Sequence, residues 1–201
     1  VCSSDLKGPL ALCHNGNLVN SHQLREEFEL NGAIFHSTND TEVIAYAITK
    51  ARLTTGSIEE AVEKAVGQIK GAYSLVIMSA QKLIAVRDPE GFHPLCMGKT
   101  ANGGVVFASE TCALDSIGAT FEREVAPGEI VVVSDEGTKS IKTHCKGKGH
   151  LCVFEFVYFA RPDSVIEGAG VQAARQRAGA FLALEHPVQA DIVIGVPDSG
   201  L

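Results

Sequence analysis

The sequence predicts an α+β fold in which helices are layered on an antiparallel sheet, followed by the beginning of an α/β unit. Between residues 20 and 71, apolar residues recur at helical spacing in three segments. Short apolar runs of strand character follow up to residue 143. After residue 150 an aromatic run, a helix and a continuous apolar run follow one another, which is the order of an α/β unit.

Composition is that of an ordinary globular protein, with 45% hydrophobic and 20% charged residues among 201. The 17 lysines and arginines against 24 aspartates and glutamates give 17 − 24 = −7. This acidic balance argues against nucleic acid as a partner, because sequence-independent binding needs a basic surface. No apolar run reaches the length of a membrane span. The six cysteines form no C-x-x-C pair, which favours a reducing, cytoplasmic setting.

The first element is a strand over residues 10–13 that leads into a turn at Asn15-Gly16. Asn-Gly is the strongest hairpin dipeptide because both residues tolerate positive φ. The turn carries the His14 ring, the side-chain amides of Asn15 and Asn17, and the Gly16 N–H. A carboxamide beside a free backbone N–H is the donor pair that an oxyanion hole requires. For a bare Asn-Gly dipeptide, however, a plain turn is the commoner explanation.

Three helices are predicted next, at about 20–32, after 37–40, and at 57–71. The third begins with a capping box, because Glu60 lies three residues after Ser57. Strands are then predicted at 72–79, 83–86, 105–108, 130–134 and 138–143, with a short helix at 111–117 and a hairpin turn at 80–82. The loop at 87–95 is expected to be a rigid connector in which Arg87 and Asp88 pair.

The glycine-rich, basic segment 146–149 is the predicted domain boundary, separating a domain at 7–149 from the start of another at 150–201. In the second part we predict a strand at 152–159, a helix at 171–184 and a buried parallel strand at 192–196. Ser199 and Gly200 then follow the carboxyl end of that strand, where open α/β sheets place their ligand loops.

Two residues have both a structural and a chemical interpretation. Asp40 is an N-cap carboxylate, or it is a carboxylate that binds a substrate ammonium group and is kept ionised by the start of a helix. Cys152 is an ordinary buried cysteine, or it is one thiolate ligand of an iron–sulfur cluster. The sequence pattern by itself favours the structural interpretation of both residues.

Taken together, the motifs resemble the class II glutamine amidotransferases, in the branch that joins a glutaminase half to a phosphoribosyltransferase. The matching motifs are His14-Asn15-Gly16-Asn17-Leu18, Thr38-Asn39-Asp40-Thr41-Glu42, Arg87-Asp88-Pro89-x-Gly91-x-x-Pro94-Leu95, Ala108-Ser109-Glu110, Ala126-Pro127-Gly128-Glu129 and Phe154-Glu155-Phe156-Val157-Tyr158-Phe159-Ala160-Arg161-Pro162-Asp163-Ser164. The first motif fits several glutaminase halves, whereas the last one, followed by Val196-Pro197-Asp198-Ser199-Gly200, is particular to this branch. The resemblance runs from about Gly8 to Leu201.

This resemblance implies a partial N-terminal-nucleophile glutaminase fold, an αββα sandwich, followed by the start of a type I phosphoribosyltransferase domain. Glutamine would be hydrolysed, and the ammonia would displace pyrophosphate from phosphoribosyl pyrophosphate to give 5-phosphoribosylamine, the first committed step of purine biosynthesis. The resemblance assigns the oxyanion hole to Asn15 and Gly16, the glutamine ammonium group to Asp40, a [4Fe–4S] ligand to Cys152, and the pyrophosphate loop to Ser199 and Gly200. It also implies Mg²⁺ in the full-length enzyme and a homo-oligomer, commonly a tetramer.

The family nucleophile is the N-terminal cysteine of the mature enzyme, and Cys2 is no substitute because it lies too close to His14. We therefore expect an internal fragment that is inactive by itself. Two alternatives remain. One is a non-catalytic binding or regulatory module with a glutaminase-like fold. The other is a different class II amidotransferase, which would need another kind of domain after about residue 148.

Overall fold

The computed structural model of the chain describes residues 2–5 and 7–197. Its helices are α1 (Ser21–Leu30), α2 (Asp40–Arg52), α3 (Ile58–Val66), α4 (Thr111–Ser116) and α5 (Val171–Glu185). Its strands are β1 (Cys2–Asp5), β2 (Gly8–Leu18), β3 (Gly71–Ser79), β4 (Leu83–Arg87), β5 (Cys96–Lys99), β6 (Val105–Ala108), β7 (Thr120–Glu124), β8 (Ile130–Ser134), β9 (Gly137–Ile141), β10 (Val165–Ile166) and β11 (Ala169–Gly170).

Two antiparallel sheets form the centre of the fold. The larger has the strand order β1-β2-β3-β4-β8-β9, and the smaller has the order β6-β5-β7. The apolar faces of α1, α2 and α3 cover one side of the larger sheet and form the main core with it. The other side packs on the smaller sheet through residues such as Ala85, Val131, Leu95 and Met97. Because α4 covers the far side of the smaller sheet through Leu114, the layers follow the predicted αββα order.

Local sequence signals explain the helix starts. The Ser57 side chain accepts the Glu60 N–H at 3.3 Å, as the capping box predicts. At the start of α2, the Asn39 side chain accepts the Thr41 N–H at 2.9 Å. The N-cap of α2 is therefore Asn39, and the interpretation of Asp40 as the N-cap is wrong, because Asp40 is the first residue inside the helix.

The predicted Asn15-Gly16 turn is also wrong. Strand β2 continues through both residues, which pair with Ser74 and Tyr73 of β3. Gly16 has φ +143°, and a Cβ at this position would lie 2.0 Å from the carbonyl oxygen of Ala72. The conformational freedom of glycine is thus used for a close approach between two paired strands, and β3 supplies the long-range partner that a local turn signal cannot reveal.

Other predictions fail for related reasons. The aromatic run predicted as a strand at 152–159 contains a π-helical turn at Glu155–Phe159, because no strand in the described ranges pairs with it. Residues 192–196 have no regular structure and mostly exposed side chains, since a parallel strand needs neighbours that the described residues do not provide. Five described strands, β1, β5, β7, β10 and β11, were not predicted. The helix predicted at 57–71 ends at Val66.

Candidate functional site

A cleft of about 470 Å³ lies beside the irregular part of β2. One wall comes from the larger sheet, and the other comes from the loop after β4, the segment entering α4 and the π-helical turn. The lining residues are Asn15, Gly16, Asn17, Ala72, His93, Ser109, Glu110, Glu155 and Phe159. A smaller, mainly apolar gap of about 200 Å³ shares Asn15 and Ser109 with this cleft and extends between the two sheets past Cys13. Asn15 therefore lies where the two cavities meet.

Strand pairing determines how Gly16 presents its amide. The partner Tyr73 directs its carbonyl to the Asp88 N–H, at 2.8 Å, which lies on the β4 side. In an antiparallel ladder, a residue that bonds one neighbouring strand does not bond the other. Gly16 is therefore a non-hydrogen-bonded partner of Tyr73, and its N–H lies outside the β2–β3 ladder. The described pairing of β1 with β2 runs from Asp5 opposite Gly8 to Cys2 opposite Ala11.

Asp40 lies at the same edge of β2 but does not line the cleft. Its carboxylate accepts the Leu18 N–H at 2.8 Å and lies 3.5 Å from Nδ1 of His14. The same His14 nitrogen lies 3.1 Å from the hydroxyl oxygen of Thr41. Burial lowers the pKa of His14, and the nearby Asp40 carboxylate opposes this effect without cancelling it. The Asp40 carboxylate thus contacts β2 on either side of Asn15 and Gly16, at His14 and at Leu18.

The opposite wall contains an ion pair that sequence reasoning missed. Nδ1 of His93 lies 2.6 Å from a carboxylate oxygen of Glu155, and Glu155 is only 4% exposed. Glu110, which belongs to one of the motifs of the resemblance, is the N-cap residue of α4; its side chain makes no cap hydrogen bond and instead accepts from Arg161 and Ser164. Glu155 and Glu110 both lie inside motifs on which the family resemblance rests. These motifs were the sequence signal that could have identified the two residues as part of the site.

The loop that carries His93 is organised by Arg87 and Asp88, although the two do not pair as predicted. The Arg87 guanidinium donates to the carbonyl oxygens of Gly91, His93 and Val125, and to the Glu167 carboxylate. The Asp88 carboxylate instead accepts backbone N–H groups of residues 90, 91 and 92. Burial raises the pKa of Asp88 despite these hydrogen bonds. Each of the two charged side chains therefore forms hydrogen bonds with several backbone groups, most of them in the loop.

The remaining predicted site residues are not brought into the cleft. Ser199 and Gly200 lie outside the described residues. Cys152 is partly buried, and its N–H donates to the Phe92 carbonyl at 3.0 Å. Within the described ranges no group of three or more histidines, cysteines, aspartates or glutamates could hold a metal ion. A search of the same residues finds no helix with the length and apolarity that crossing a membrane requires.

Comparison with known proteins gives one consistent result. A sequence model of the family described as "Glutamine amidotransferase domain" matches residues 2–116. Amidophosphoribosyltransferase 1, chloroplastic, of Arabidopsis thaliana is 50% identical over 196 residues, which cover 96% of this chain and 34% of that protein. The amidophosphoribosyltransferase of Bacillus subtilis (strain 168) is 44% identical over 198 residues, which cover 98% of this chain and 41% of that protein.

A solved structure agrees with the sequence comparisons. The glutamine phosphoribosylpyrophosphate amidotransferase from B. subtilis complexed with ADP and GMP matches this fold with a TM-score of 0.89 at 43% identity. The match covers 98% of this chain and 43% of that one. The chain thus spans about a third to two fifths of the length of the relatives it matches.

Proposed function

This chain belongs to the glutamine amidotransferase domain family, and we propose that it is the glutaminase part, with the start of the acceptor domain, of an amidophosphoribosyltransferase. The full-length protein would convert glutamine, water and phosphoribosyl pyrophosphate into glutamate, 5-phosphoribosylamine and pyrophosphate. The domains would meet near residues 146–149, as the sequence pattern predicts.

The observation that carries this proposal is the pair of donors on β2. The Asn15 carboxamide lines the cleft, and the adjacent Gly16 N–H is outside the β2–β3 ladder. Two fixed donors beside one cavity suit the oxyanion of a tetrahedral intermediate in amide hydrolysis, where negative charge develops on a former carbonyl oxygen. Donors on a sheet are held more rigidly than donors on a loop, and rigidity is what makes such stabilisation effective.

In this proposal Asp40 binds the α-ammonium group of glutamine. Its carboxylate lies in the first turn of α2, where the positive end of the helix dipole favours the ionised form. The nucleophile would be the N-terminal cysteine of the full-length protein, entering through the 200 Å³ gap beside Asn15. Asn15 and Gly16 then stabilise the oxyanion when the thiolate attacks the glutamine amide.

The acceptor reaction would belong mainly to chain outside these 201 residues. Ser199 and Gly200 would begin its pyrophosphate loop, and the Mg²⁺ ligands would come from that further chain. Cys152 would be one ligand of a [4Fe–4S] cluster whose other ligands also lie there. We include a homotetramer and a reducing, cytoplasmic location in the proposal.

The test uses the full-length protein, produced anaerobically. We expect glutamine-dependent pyrophosphate release that requires phosphoribosyl pyrophosphate. Asn15→Ala should lower kcat for glutamate formation by about a hundredfold or more, whereas Asn102→Ala, in the exposed β5–β6 turn, should not. Glutaminase activity without pyrophosphate release would indicate a different class II amidotransferase. An intact protein with neither activity would indicate a non-catalytic module.

A further inference from the structure

Residues 150–170, which we name the strap, cross the mouth of the cleft and are anchored at both ends. At the first end, the His150 N–H donates to the Glu90 carbonyl at 2.6 Å and the Cys152 N–H donates to the Phe92 carbonyl at 3.0 Å. The His93–Glu155 pair follows directly. The strap is therefore joined to the loop after β4 before it reaches the cleft.

At the second end, the strap is attached through Glu110, Thr111 and Glu167. The Glu167 carboxylate accepts from Arg87 at 2.9 Å, and the Glu167 N–H donates to Glu124 at 3.2 Å. Oε2 of Glu110 accepts the Arg161 N–H at 2.7 Å and the Ser164 hydroxyl at 2.8 Å. The next residue, Thr111, accepts the Val165 N–H on its hydroxyl at 2.9 Å. Ser164 is only 1% exposed, so without Glu110 its hydroxyl would be buried next to an unsatisfied backbone N–H.

Between these two ends the strap supplies part of the cleft wall. Glu155 and Phe159 line the cleft opposite Asn15 and Gly16. The Phe159 side chain is 57% exposed, so packing contributes little to holding it in place. Its backbone is held on either side, because the Arg175 guanidinium of α5 donates to the carbonyl oxygens of Phe156 and Ala160 at 2.7 Å and Glu110 accepts the Arg161 N–H. Glu110 itself lines the same cleft, which places the anchor and the wall that it holds in one site.

We propose that Glu110 is a positioning residue that keeps the strap closed over the cleft, so that ammonia released from glutamine reaches the acceptor reaction instead of solvent. This inference rests on the proposed function. Glutamine and water give glutamate and ammonia, and ammonia then displaces pyrophosphate from phosphoribosyl pyrophosphate, so atoms and charge balance without a further reactant. Glu110 makes no bond to either substrate, and its effect is exerted through the strap backbone.

The charge of Glu110 is expected to matter as well as its shape. Hydrogen bonds to an ionised acceptor are about twice as strong as neutral ones. Glu110→Gln keeps an acceptor oxygen at nearly the same position but removes the charge, whereas Glu110→Ala removes the anchor. The two variants together separate loss of charge from loss of attachment.

The experiment measures the ratio of pyrophosphate to glutamate formed by the full-length protein. For Glu110→Ala we expect this ratio to fall by about twofold or more, because an open cleft loses its product to water. Pyrophosphate release with an ammonium salt as donor should stay close to the parent. Glu110→Gln should fall between parent and Glu110→Ala. The matched control is Glu122→Ala. This substitution removes a carboxylate of β7 that forms a salt bridge with the exposed Lys99.

Amide hydrogen exchange of residues 155–165 provides the second readout. Loss of a charge-assisted anchor should make these amides exchange about tenfold faster in Glu110→Ala. An unchanged product ratio would overturn the positioning role. Loss of both the glutamine and the ammonium reactions would also overturn it, because Glu110 would then act on the whole fold. If the parent protein forms no glutamate, the proposed function is refuted. Independently of that result, amide exchange rates in Glu110→Ala equal to those of the parent would refute the anchoring by Glu110.

Discussion

Replacing Gly16 with alanine tests the strand pairing on which the candidate site depends. Gly16 has φ +143°, a backbone conformation that L side chains rarely adopt. The added Cβ would also lie 2.0 Å from the Ala72 carbonyl oxygen and 2.7 Å from the Ala72 carbonyl carbon. Both contacts are with backbone of a paired strand, so no side-chain rotation can relieve them.

The cost of Gly16→Ala has two parts. Backbone strain in a sparsely populated region costs about 1–3 kcal/mol, and forcing extra volume into a packed region costs about 1–3 kcal/mol more. Together they lower the free energy of unfolding by about 2–6 kcal/mol, a large part of the roughly 5–15 kcal/mol of a typical domain. At about 2–4 °C per kcal/mol for a chain of this size, a central loss of about 4 kcal/mol lowers Tm by about 8–16 °C.

The assay is thermal and urea unfolding of the chain, with Gly32→Ala as the matched control. Gly32 also has a positive φ, +88°, but a Cβ there meets nothing within 4 Å. The control therefore carries backbone strain without the clash, and its Tm should fall by only a few degrees. If Gly16→Ala melts within about 2 °C of the parent, the close approach of Ala72 is refuted, and with it the pairing that frees the Gly16 amide.

Three further predictions concern single groups. In the full-length protein, Asp40→Asn should raise KM for glutamine about tenfold or more with a smaller change in kcat, because a charged hydrogen bond is lost; an unchanged KM contradicts an ammonium-binding role. Burial favours a higher pKa for the Glu129 carboxyl. The hydrogen bonds from Arg123, from Ser140 and from the Ala126 N–H outweigh the effect of burial, so the pKa of Glu129 lies below its ordinary value. The ionised Glu129 therefore stabilises the fold at pH values above the ordinary glutamate pKa of about 4.3, and this stabilisation is lost as pH falls through the lowered pKa. In thermal melts at decreasing pH, the Tm of Glu129→Gln should decline less steeply than the Tm of the parent. Equal slopes of Tm against pH for the two proteins would contradict the assignment. Burial, with the Glu124 carboxylate nearby, raises the pKa of the Cys96 thiol to about 12. Iodoacetamide at neutral pH should therefore label the exposed Cys13 and should label Cys96 only after unfolding. Equal labelling of the two cysteines in the folded protein, measured by peptide mapping, would refute this prediction.

The five helices could be predicted because their signals are local, whereas the αββα layer order came from the family resemblance. Helical periodicity, the Ser57–Glu60 capping box and the alternating apolar runs act within one element. Strands β5 and β7 were missed because they are short and each is defined by its partner: β5 pairs with both β6 and β7. Strand β7 is mostly exposed and reads as polar sequence. Pairing over long sequence separation, and not propensity, makes these residues strands.

Asn15 and Gly16 show how a motif can be identified correctly and its structure predicted wrongly. The dipeptide has strong turn propensity, yet both residues lie inside a strand of 11 residues. The nine residues of β3 provide the partner. Glycine is needed in either structure because both require positive φ, so the local sequence cannot distinguish a turn from a strained strand. What decides between them is the position of Ala72, which lies more than fifty residues away in sequence.

The wall opposite Asn15 was not predictable because each of its residues has a sufficient local explanation. His93 lies in a proline-rich loop, Glu110 precedes a helix and Glu155 lies in an aromatic run. The loop that carries His93 is held by Arg87 on carbonyl oxygens and by Asp88 on N–H groups, and Glu155 reaches the same cleft through its contact with His93. Irregular backbone inside a fold leaves such groups unpaired, and a charged side chain satisfies several of them at once. A charged motif between two strands therefore predicts, above all, an ordered loop. The side chains available for chemistry are those that such a loop positions in the cleft, here His93, which contacts Glu155.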